Sequence, residues 1–201
     1  MNFNKAKDVI DSIYTDIDGH SISYEAKKKL NYTDKTLIYG EILLDSFYEI
    51  LKVAQPRDGE IFYDLGCGVG KPVFAASLLF PFSKSIGIEL LQDVYQGALK
   101  VKKNFEKNYP NEQVNNKKIL FINGDIFKTD FFDGDVIFVH ATCLPNQLME
   151  VLSKKLENLK RGSRIIVATR SLYSDKFSLL KSITYKMGWG ESLVNFYEKI
   201  K

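Results

Sequence analysis

One stretch limits the possible folds of this chain more than any other: residues 62–71, with the sequence FYDLGCGVGK. The apolar residues 61–63 predict a short strand that Asp64 closes. Three glycines at every second position then predict a tight turn, because residues with a Cβ adopt its backbone angles with difficulty. Residues 73–80 are apolar enough for a buried helix, which Pro81 ends. A strand, a glycine turn and a helix in this order are typical of nucleotide-cofactor folds.

The acid at the end of the first strand indicates which kind of cofactor the turn binds. A dinucleotide would place a pyrophosphate over the turn, where Asp64 would repel it. The same carboxylate suits a ligand with an ammonium group, and the methionine arm of S-adenosylmethionine carries one. Glu89 follows 89 − 64 = 25 positions later, at the end of the second predicted strand, where it can accept hydrogen bonds from both ribose hydroxyls. That both acids merely cap helices is less favoured, because they flank one glycine turn.

Length and composition are those of one globular domain. The chain has 201 residues, of which 45% are hydrophobic and 26% charged, and its net charge of +3 is too small to indicate nucleic-acid binding. Cys67 and Cys143 make no disulfide framework, and with His20 and His140 they have no zinc-ligand spacing, so no metal is expected. No apolar run reaches membrane-spanning length, and residues 1–7 do not resemble a signal peptide. We expect a reducing, cytoplasmic location, with the nucleus as an alternative.

The rest of the chain predicts an α/β fold. Apolar runs predict seven strands, at residues 61–63, 85–88, 118–122, 135–139, 164–168, 183–187 and 193–197. With helices between them and a closing hairpin, they form a seven-stranded, mostly parallel, doubly wound (Rossmann-like) sheet with an antiparallel last strand. Helical spacing in residues 4–16, and a second short helix that Ser23 can cap, predict a helical lid in residues 1–36. The cofactor-binding part is residues 37–201, within a single structural domain.

Four polar residues fall at the predicted carboxyl ends of strands, where open α/β sheets bind ligands: Asp64, Glu89, Asp125 and His140. Asp125 is placed to accept a hydrogen bond from an adenine amino group. The backbone N–H of Ile126 is then available to a ring nitrogen. For Asp125, the role of a helix-capping aspartate is about as well supported by this segment alone.

The order of elements, with Asp-Leu-Gly-Cys-Gly-Val-Gly at the first turn, resembles that of class I S-adenosylmethionine-dependent methyltransferases over roughly residues 37–199. A narrower resemblance is to the non-SET histone lysine methyltransferases, the disruptor-of-telomeric-silencing family. It is carried by Tyr39-Gly40-Glu41, by the runs at residues 64–70, 136–139 and 156–165, and by the hairpin around Trp189.

The resemblance implies S-adenosyl-L-methionine as cofactor and a role for each matching residue. Tyr39 to Ile42 would close over the methionine arm, and His140 would line the methyl-transfer channel. The cofactor-binding set is then Tyr39, Gly40, Glu41, Ile42, Asp64, Gly66, Gly68, Gly70, Lys71, Glu89, Leu90, Asp125, Ile126 and His140. Without the resemblance, the preferred interpretations are that Tyr39 is an aromatic residue that staples a helix start and that Glu41 is a first-turn acid.

The implied activity is methyl transfer to a lysine amine of a protein substrate, with Tyr39 and His140 as catalytic residues. We expect His140 to take up the proton of the lysine, although a backbone-satisfied histidine is nearly as well supported. The chain has His140-Ala141-Thr142 where the family has Asn-Asn-Phe, and it lacks the family's basic nucleosome-binding tail, so nucleic-acid or nucleosome binding is not predicted. The alternatives are a small-molecule or RNA acceptor, or a non-catalytic binding module. A nicotinamide dehydrogenase is disfavoured by Asp64.

Overall fold

The computed structural model describes residues 1–31, 39–110 and 118–201. Seven strands are present: β1 (Ile61–Leu65), β2 (Lys84–Glu89), β3 (Ile119–Asn123), β4 (Val136–His140), β5 (Arg164–Ala168), β6 (Phe177–Met187) and β7 (Gly190–Lys199). They form one sheet in the order β3-β2-β1-β4-β5-β7-β6. Only β7 runs against its neighbours, β5 and β6, and the other pairs are parallel. The predicted sheet is confirmed.

The described residues contain six α-helices: α1 (Phe3–Ile13), α2 (Gly19–Lys29), α3 (Leu44–Val53), α4 (Lys71–Leu79), α5 (Gln92–Asn108) and α6 (Asn146–Leu156). No helix among them is long and apolar enough to cross a membrane. The central strands are buried on both faces, as parallel strands are when helices cover them. Because side chains alternate along a strand, Phe62 joins the apolar cluster under α3, α4 and α5, and Tyr63 joins the cluster under α6. Helices thus cover both faces, which is the doubly wound arrangement.

The N-terminal helices are part of the hydrophobic core. The buried residues of α1, Ala6, Val9, Ile10 and Ile13, recur at the spacing of one helix face. Directly after α1, the hydroxyl of Tyr14 donates a 2.9 Å hydrogen bond to the carbonyl of Val69 in the glycine turn. The predicted N-terminal helices are therefore present and packed beside the cofactor turn. The predicted boundary at residue 36 lies outside the described residues.

Two expectations about element boundaries are wrong. Ser23 does not cap α2: the cap is Asp18, whose extended backbone lets its carboxylate accept a hydrogen bond from the Ser21 N–H, and Ser23 lies buried inside the helix. Strand β6 begins at Phe177, not at residue 183, because residues 177–182 pair along the outer side of β7 while Leu179 and Leu180 stay exposed. Pairing with β7, rather than hydrophobic alternation, sets that strand's length.

Replacing Ile13 by alanine tests whether α1 belongs to the core. Ile13 is fully buried, and we expect Ile13→Ala to lower the free energy of unfolding by about 2–5 kcal/mol in one cooperative denaturant transition. The control is Leu30→Ala at the end of α2, a residue that is 62% exposed, which should change stability by no more than about 0.5 kcal/mol. A separate transition, or no loss for Ile13→Ala, would mean that α1 is an independent lid.

Candidate functional site

A cavity of about 360 Å³ lies at the carboxyl ends of the parallel strands, next to the glycine turn. All the residues predicted to bind the cofactor line this cavity except Gly70: Tyr39, Gly40, Glu41, Ile42, Asp64, Gly66, Gly68, Lys71, Glu89, Leu90, Asp125, Ile126 and His140. Ser23, Cys143 and Leu148 also line it, and the sequence predicted no cavity contact for them. The four residues predicted at strand ends, from Asp64 to His140, therefore line one cavity although they span 140 − 64 = 76 positions.

The glycine turn has little room for side chains. Gly68 has φ +58, and a Cβ there would lie 2.8 Å from the ring of Tyr39. Gly70 has φ +88, caps the start of α4, and its Cβ would lie 2.5 Å from the ring of Phe121. Both positions therefore need glycine, for backbone conformation and for space. Gly70 does not line the cavity, and its missing side chain lets the turn pack closely against Phe121 of β3.

Asp64 is the most unusual residue of the cavity. It lies inside β1, one residue before the strand ends, between Gly87 of β2 and Phe138 of β4. It is 1% exposed, and its Oδ2 atom has no hydrogen-bond partner among the described residues. Burial, and then the charge of Glu89, raise the pKa of this carboxyl well above its usual range. A buried carboxylate oxygen without a partner is costly, and an ammonium group in the cavity would supply that partner.

Glu89 is held rigidly across the turn. Its Oε2 atom accepts a hydrogen bond from the Gly68 N–H at 3.0 Å, and its Oε1 atom accepts one from the Leu91 N–H at 2.9 Å. Burial raises the pKa of this carboxyl, and the backbone hydrogen bonds oppose part of that rise. Since each carboxylate oxygen has a second lone pair, both can still accept from a ligand. This arrangement fits the predicted role towards the two ribose hydroxyls.

Tyr39, Glu41 and Lys71 form a hydrogen-bonded group above the turn. The Tyr39 hydroxyl donates to Glu41 Oε1 at 2.9 Å, and Lys71 Nζ donates to Glu41 Oε2 at 2.5 Å. Burial, and then the neighbouring Glu41, raise the pKa of Tyr39, so its hydroxyl stays a donor. Helix α3 begins only at Leu44, so neither alternative applies: Tyr39 is not a helix staple and Glu41 is not in the first turn.

The Tyr39 ring is braced by α2, a contact that the sequence did not predict. A Cβ on Gly19 would lie 2.0 Å from the Tyr39 hydroxyl, so the ring lies directly against the helix backbone. The ring of His20 meets it edge-on, with the centroids 5.0 Å apart. On its other side the ring contacts Gly68. The N-terminal helices therefore set the position of Tyr39 over the cavity.

Asp125 caps a turn, not a helix, and also lines the cavity. Its Oδ1 atom accepts a 2.9 Å hydrogen bond from the Phe127 N–H and so caps the turn after β3. Its Oδ2 atom lies 3.9 Å from the exposed ammonium of Lys128. Both Asp125 and Ile126 line the cavity. A local capping role and a ligand-binding role are therefore compatible in this residue.

His140, the last residue of β4, lies between two cavities. It lines the first cavity and also a second one of about 550 Å³, which extends towards α1 and α3. Its ring packs against Trp189 at 4.4 Å, and its Nε2 atom lies 2.8 Å from the Thr142 hydroxyl. A side chain, not backbone, is therefore its hydrogen-bond partner. Burial lowers the pKa of His140 to about 4, so the imidazole is neutral at physiological pH.

The tip of the β6–β7 hairpin closes over the same site. Besides its contact with His140, the Trp189 ring would be 3.2 Å from a Cβ on Gly40, and a Cβ on Gly188 would be 2.8 Å from the carbonyl of Glu41. The sequence located Trp189 in the hairpin but gave no signal for these contacts. Trp189 therefore forms a wall of the second cavity, next to His140.

Asparagine at position 64 tests the state of the buried carboxyl. For an acid whose folded-state pKa is raised, stability falls as the pH rises from its unfolded-state pKa, near 4, towards the folded-state value. Asp64→Asn should therefore make the ligand-free protein more stable than wild type at pH 7–8, by about 1–3 kcal/mol. The difference should shrink towards pH 4. Thermal unfolding between pH 4 and pH 8 measures it, with exposed Asp58→Asn as the control. A less stable Asp64→Asn at pH 8 would contradict the assignment.

Similar proteins extend these observations. A protein-lysine N-methyltransferase of Saccharolobus islandicus is 30% identical over 118 residues, 58% of this chain and 66% of that protein. An H3 lysine-79 specific histone-lysine N-methyltransferase of Caenorhabditis elegans is 29% identical over 162 residues, 78% of this chain and 16% of that protein. The chain thus spans only part of either relative's length. These similarities agree with the resemblance that the sequence motifs predicted.

A solved structure shows the same fold. An RNA methyltransferase from Salinibacter ruber, in complex with S-adenosyl-L-homocysteine, superimposes with a TM-score of 0.60 at 20% identity, over 77% of this chain and 90% of that one. A family model described as "Histone methylation protein DOT1" matches residues 19–188, from α2 to the tip of the β6–β7 hairpin. The chain therefore has the fold of class I S-adenosylmethionine-dependent methyltransferases and belongs to the DOT1 family.

Proposed function

We propose that this protein transfers a methyl group from S-adenosylmethionine to the side-chain amine of a lysine in a protein substrate. The observation that carries the proposal is the unpartnered, buried Oδ2 atom of Asp64 at the wall of the first cavity. An ammonium group on the ligand satisfies that atom, whereas a pyrophosphate would be repelled by it. The family of the chain implies the same cofactor.

Different residues of the first cavity would bind different parts of the cofactor. Asp64 would bind the ammonium group of the methionine arm, and Lys71, which also donates to Glu41, would bind its carboxylate. Glu89 would accept hydrogen bonds from the ribose hydroxyls, as its fixed oxygens allow. Asp125 and the Ile126 N–H would bind the adenine edge, together with the apolar side chains around them. The opposite charges of Asp64 and Lys71 match the zwitterionic arm.

The second cavity suits the side chain of a lysine. It meets the first cavity at Tyr39, Gly40, Glu41 and His140, which line both. Apolar and aromatic groups line much of it, including Ile10, Ile42, Leu43, Leu44 and Trp189, and they can contact the four methylenes of a lysine. Its charged lining residues are the acids Asp11, Glu41 and Asp45 and the lysines Lys7 and Lys71. The acids outnumber the lysines by three to two, which favours a cationic group. The names of the sequence relatives, which are protein-lysine methyltransferases, support this class of acceptor.

The reaction depends on removing a proton from the acceptor amine. S-adenosylmethionine, when bound, supplies an electrophilic methyl group on its sulfonium. A lysine three pKa units above the ambient pH needs about 4 kcal/mol to become neutral. The partly buried channel between Tyr39, His140 and Trp189 lowers this requirement, because desolvation disfavours the charged amine. With a pKa of about 4, His140 does not hold the proton at neutral pH, so the proton passes to solvent. Its role is to accept a hydrogen bond from the amine and orient the nitrogen lone pair.

Methyl transfer from a labelled donor tests the proposed function. The purified protein is incubated with tritiated S-adenosylmethionine and cell extract, and protein, RNA and small-molecule fractions are separated. We expect label in the protein fraction, released as methyl-lysine on hydrolysis, and loss of the label with Asp64→Asn. Label in the RNA or small-molecule fraction would assign a different acceptor. Binding of S-adenosylhomocysteine without any label would identify a non-catalytic binding module.

Replacing His140 by alanine tests its place in the channel. We expect His140→Ala to lower the rate of transfer into the labelled protein by about 10²-fold or more, in line with a positioned acid–base or hydrogen-bonding group. The control is Val151→Ala on α6, a residue that is 52% exposed. Since His140 is neutral throughout, the wild-type rate should rise between pH 6 and pH 9 without an inflection near 6.5, following the acceptor amine. An unchanged rate and pH profile in His140→Ala would contradict a role for His140 in the reaction.

A further inference from the structure

Helix α2 presents a hydroxyl group to the cofactor cavity, that of Ser23. The buried residues of α2 are Gly19, Ser23 and Ala26, which lie on one face of the helix. Ser23 is 2% exposed and lines the first cavity. Its Oγ atom has no hydrogen-bond partner among the described residues. Because a buried hydroxyl without a partner is costly, a ligand in the cavity that supplies one is favoured.

Another buried helical serine, Ser153 of α6, shows how the fold can satisfy such a hydroxyl. The Ser153 hydroxyl donates a 2.7 Å hydrogen bond to the carbonyl of Met149, one turn earlier, and accepts one from the Tyr173 N–H at 3.0 Å. Ser23 makes neither kind of contact with the described residues. Serine also favours a helix less than alanine does. The stability of α2 therefore gives no reason for a serine at position 23.

The contacts of α2 locate Ser23 over the junction between the glycine turn and the start of α5. One helical turn before Ser23, Gly19 packs on the ring of Tyr39, which itself lies on the glycine turn. After Ser23, at the end of α2, Lys29 Nζ lies 2.6 Å from Asp93 Oδ2 in the first turn of α5. Ser23 lies between these two contacts, on the buried face of the helix.

Glu89 is anchored at the same junction. Its two carboxylate oxygens accept hydrogen bonds from the N–H of Gly68, in the glycine turn, and from the N–H of Leu91, which precedes α5. Ser23, Glu89 and Leu91 all line the first cavity. The serine hydroxyl and the Glu89 carboxylate therefore border the same part of it. In the proposed function, this is the part that binds the ribose of the cofactor.

The hydrogen bonds of the ribose leave a position for a donor. When Glu89 accepts from both ribose hydroxyls, as proposed above, the hydrogens of both are used. Each ribose oxygen keeps lone pairs, which can accept a hydrogen bond from a further group. The Ser23 hydroxyl has one hydrogen and no acceptor for it among the described residues. Its donor thus complements the acceptor that the ribose still offers.

We propose that Ser23 is a cofactor-binding residue, whose hydroxyl donates a hydrogen bond to a ribose hydroxyl of S-adenosylmethionine beside Glu89. The inference rests on the proposed function, in which the first cavity binds this cofactor. It extends the cofactor site to α2, an element that no strand-end pattern indicates. The N-terminal helices then contribute a polar contact with the ligand, in addition to bracing Tyr39.

Titration calorimetry of Ser23→Ala with S-adenosylhomocysteine, which carries the same ribose, tests the proposal without any methyl acceptor. We expect the variant to bind about 3- to 10-fold more weakly than wild type, as for one lost hydrogen bond between neutral groups. The matched control is Ser153→Ala, which removes a buried helical hydroxyl away from the cavity and should leave the affinity unchanged. Unchanged affinity in Ser23→Ala would overturn the proposal.

Ligands that lack one ribose hydroxyl separate a contact with the ribose from a general disturbance of the cavity. The 2′-deoxy and 3′-deoxy analogues of S-adenosylhomocysteine are titrated into wild type and Ser23→Ala. The substitution should weaken the binding of the parent ligand but not of the analogue that lacks the partner hydroxyl. If Ser23→Ala weakens the binding of all three ligands by the same factor, Ser23 does not bond the ribose and the proposal is overturned.

Thermal unfolding of the ligand-free variants distinguishes a binding role from a structural one. Ser23→Ala should melt no lower than wild type, because the hydroxyl bonds no described group and alanine favours a helix. Ser153→Ala loses two hydrogen bonds and should melt lower. A lower melting temperature for Ser23→Ala would assign its hydroxyl to the stability of the fold and overturn the proposal.

The same titrations distinguish this inference from the proposed function. If wild type does not bind S-adenosylhomocysteine, the proposed cofactor is wrong and both proposals fail. If wild type binds it and Ser23→Ala binds it equally well, the role of Ser23 fails and the proposed cofactor stands.

Discussion

The structure depends on one electrostatic constraint: a carboxylate, that of Asp64, is buried in the central strand with an oxygen atom that no described group satisfies. In a chain selected for stability alone, an asparagine or an apolar residue would avoid the cost of its desolvation. The neighbouring Glu89 adds to that cost, because it places a second acidic group across the same turn. The site thus suits a ligand that brings positive charge, and the ligand-free protein is less stable as a result.

The surrounding structure holds the carboxyl groups of Asp64 and Glu89 in place and buries both. Backbone N–H groups of Gly68 and Leu91 fix Glu89, and the Tyr39 ring packs on Gly68 from above. The N-terminal helices brace Tyr39 through Gly19, and the β6–β7 hairpin closes over Gly40 and Glu41. Elements from both ends of the chain therefore meet at the carboxyl ends of the parallel strands, where the cofactor cavity joins the cavity proposed for the acceptor.

Local sequence patterns predicted which residues lie at the site, but not the contacts between their side chains. The ends of the apolar strands placed Asp64, Glu89, Asp125 and His140 correctly, because strand order and handedness follow general rules. The cap of α2 was mistaken because Asp18 and Ser23 are both good capping residues and only backbone geometry separates them. The packing of Trp189 on His140, and of Tyr39 on Gly19, joins distant parts of the chain with no periodicity to indicate it.

The central claim is that Asp64 binds the ammonium group of the cofactor's methionine arm. Titration calorimetry of wild type and Asp64→Asn with S-adenosylhomocysteine, and with its deaminated analogue that keeps the carboxylate, measures the coupling between these two groups directly. We expect each change alone to weaken binding by about 10-fold or more, as for a lost charge-assisted hydrogen bond. The deaminated analogue should bind both proteins alike. Equal weakening of both ligands by Asp64→Asn would mean that the ammonium group binds elsewhere, and would contradict the proposed role of Asp64.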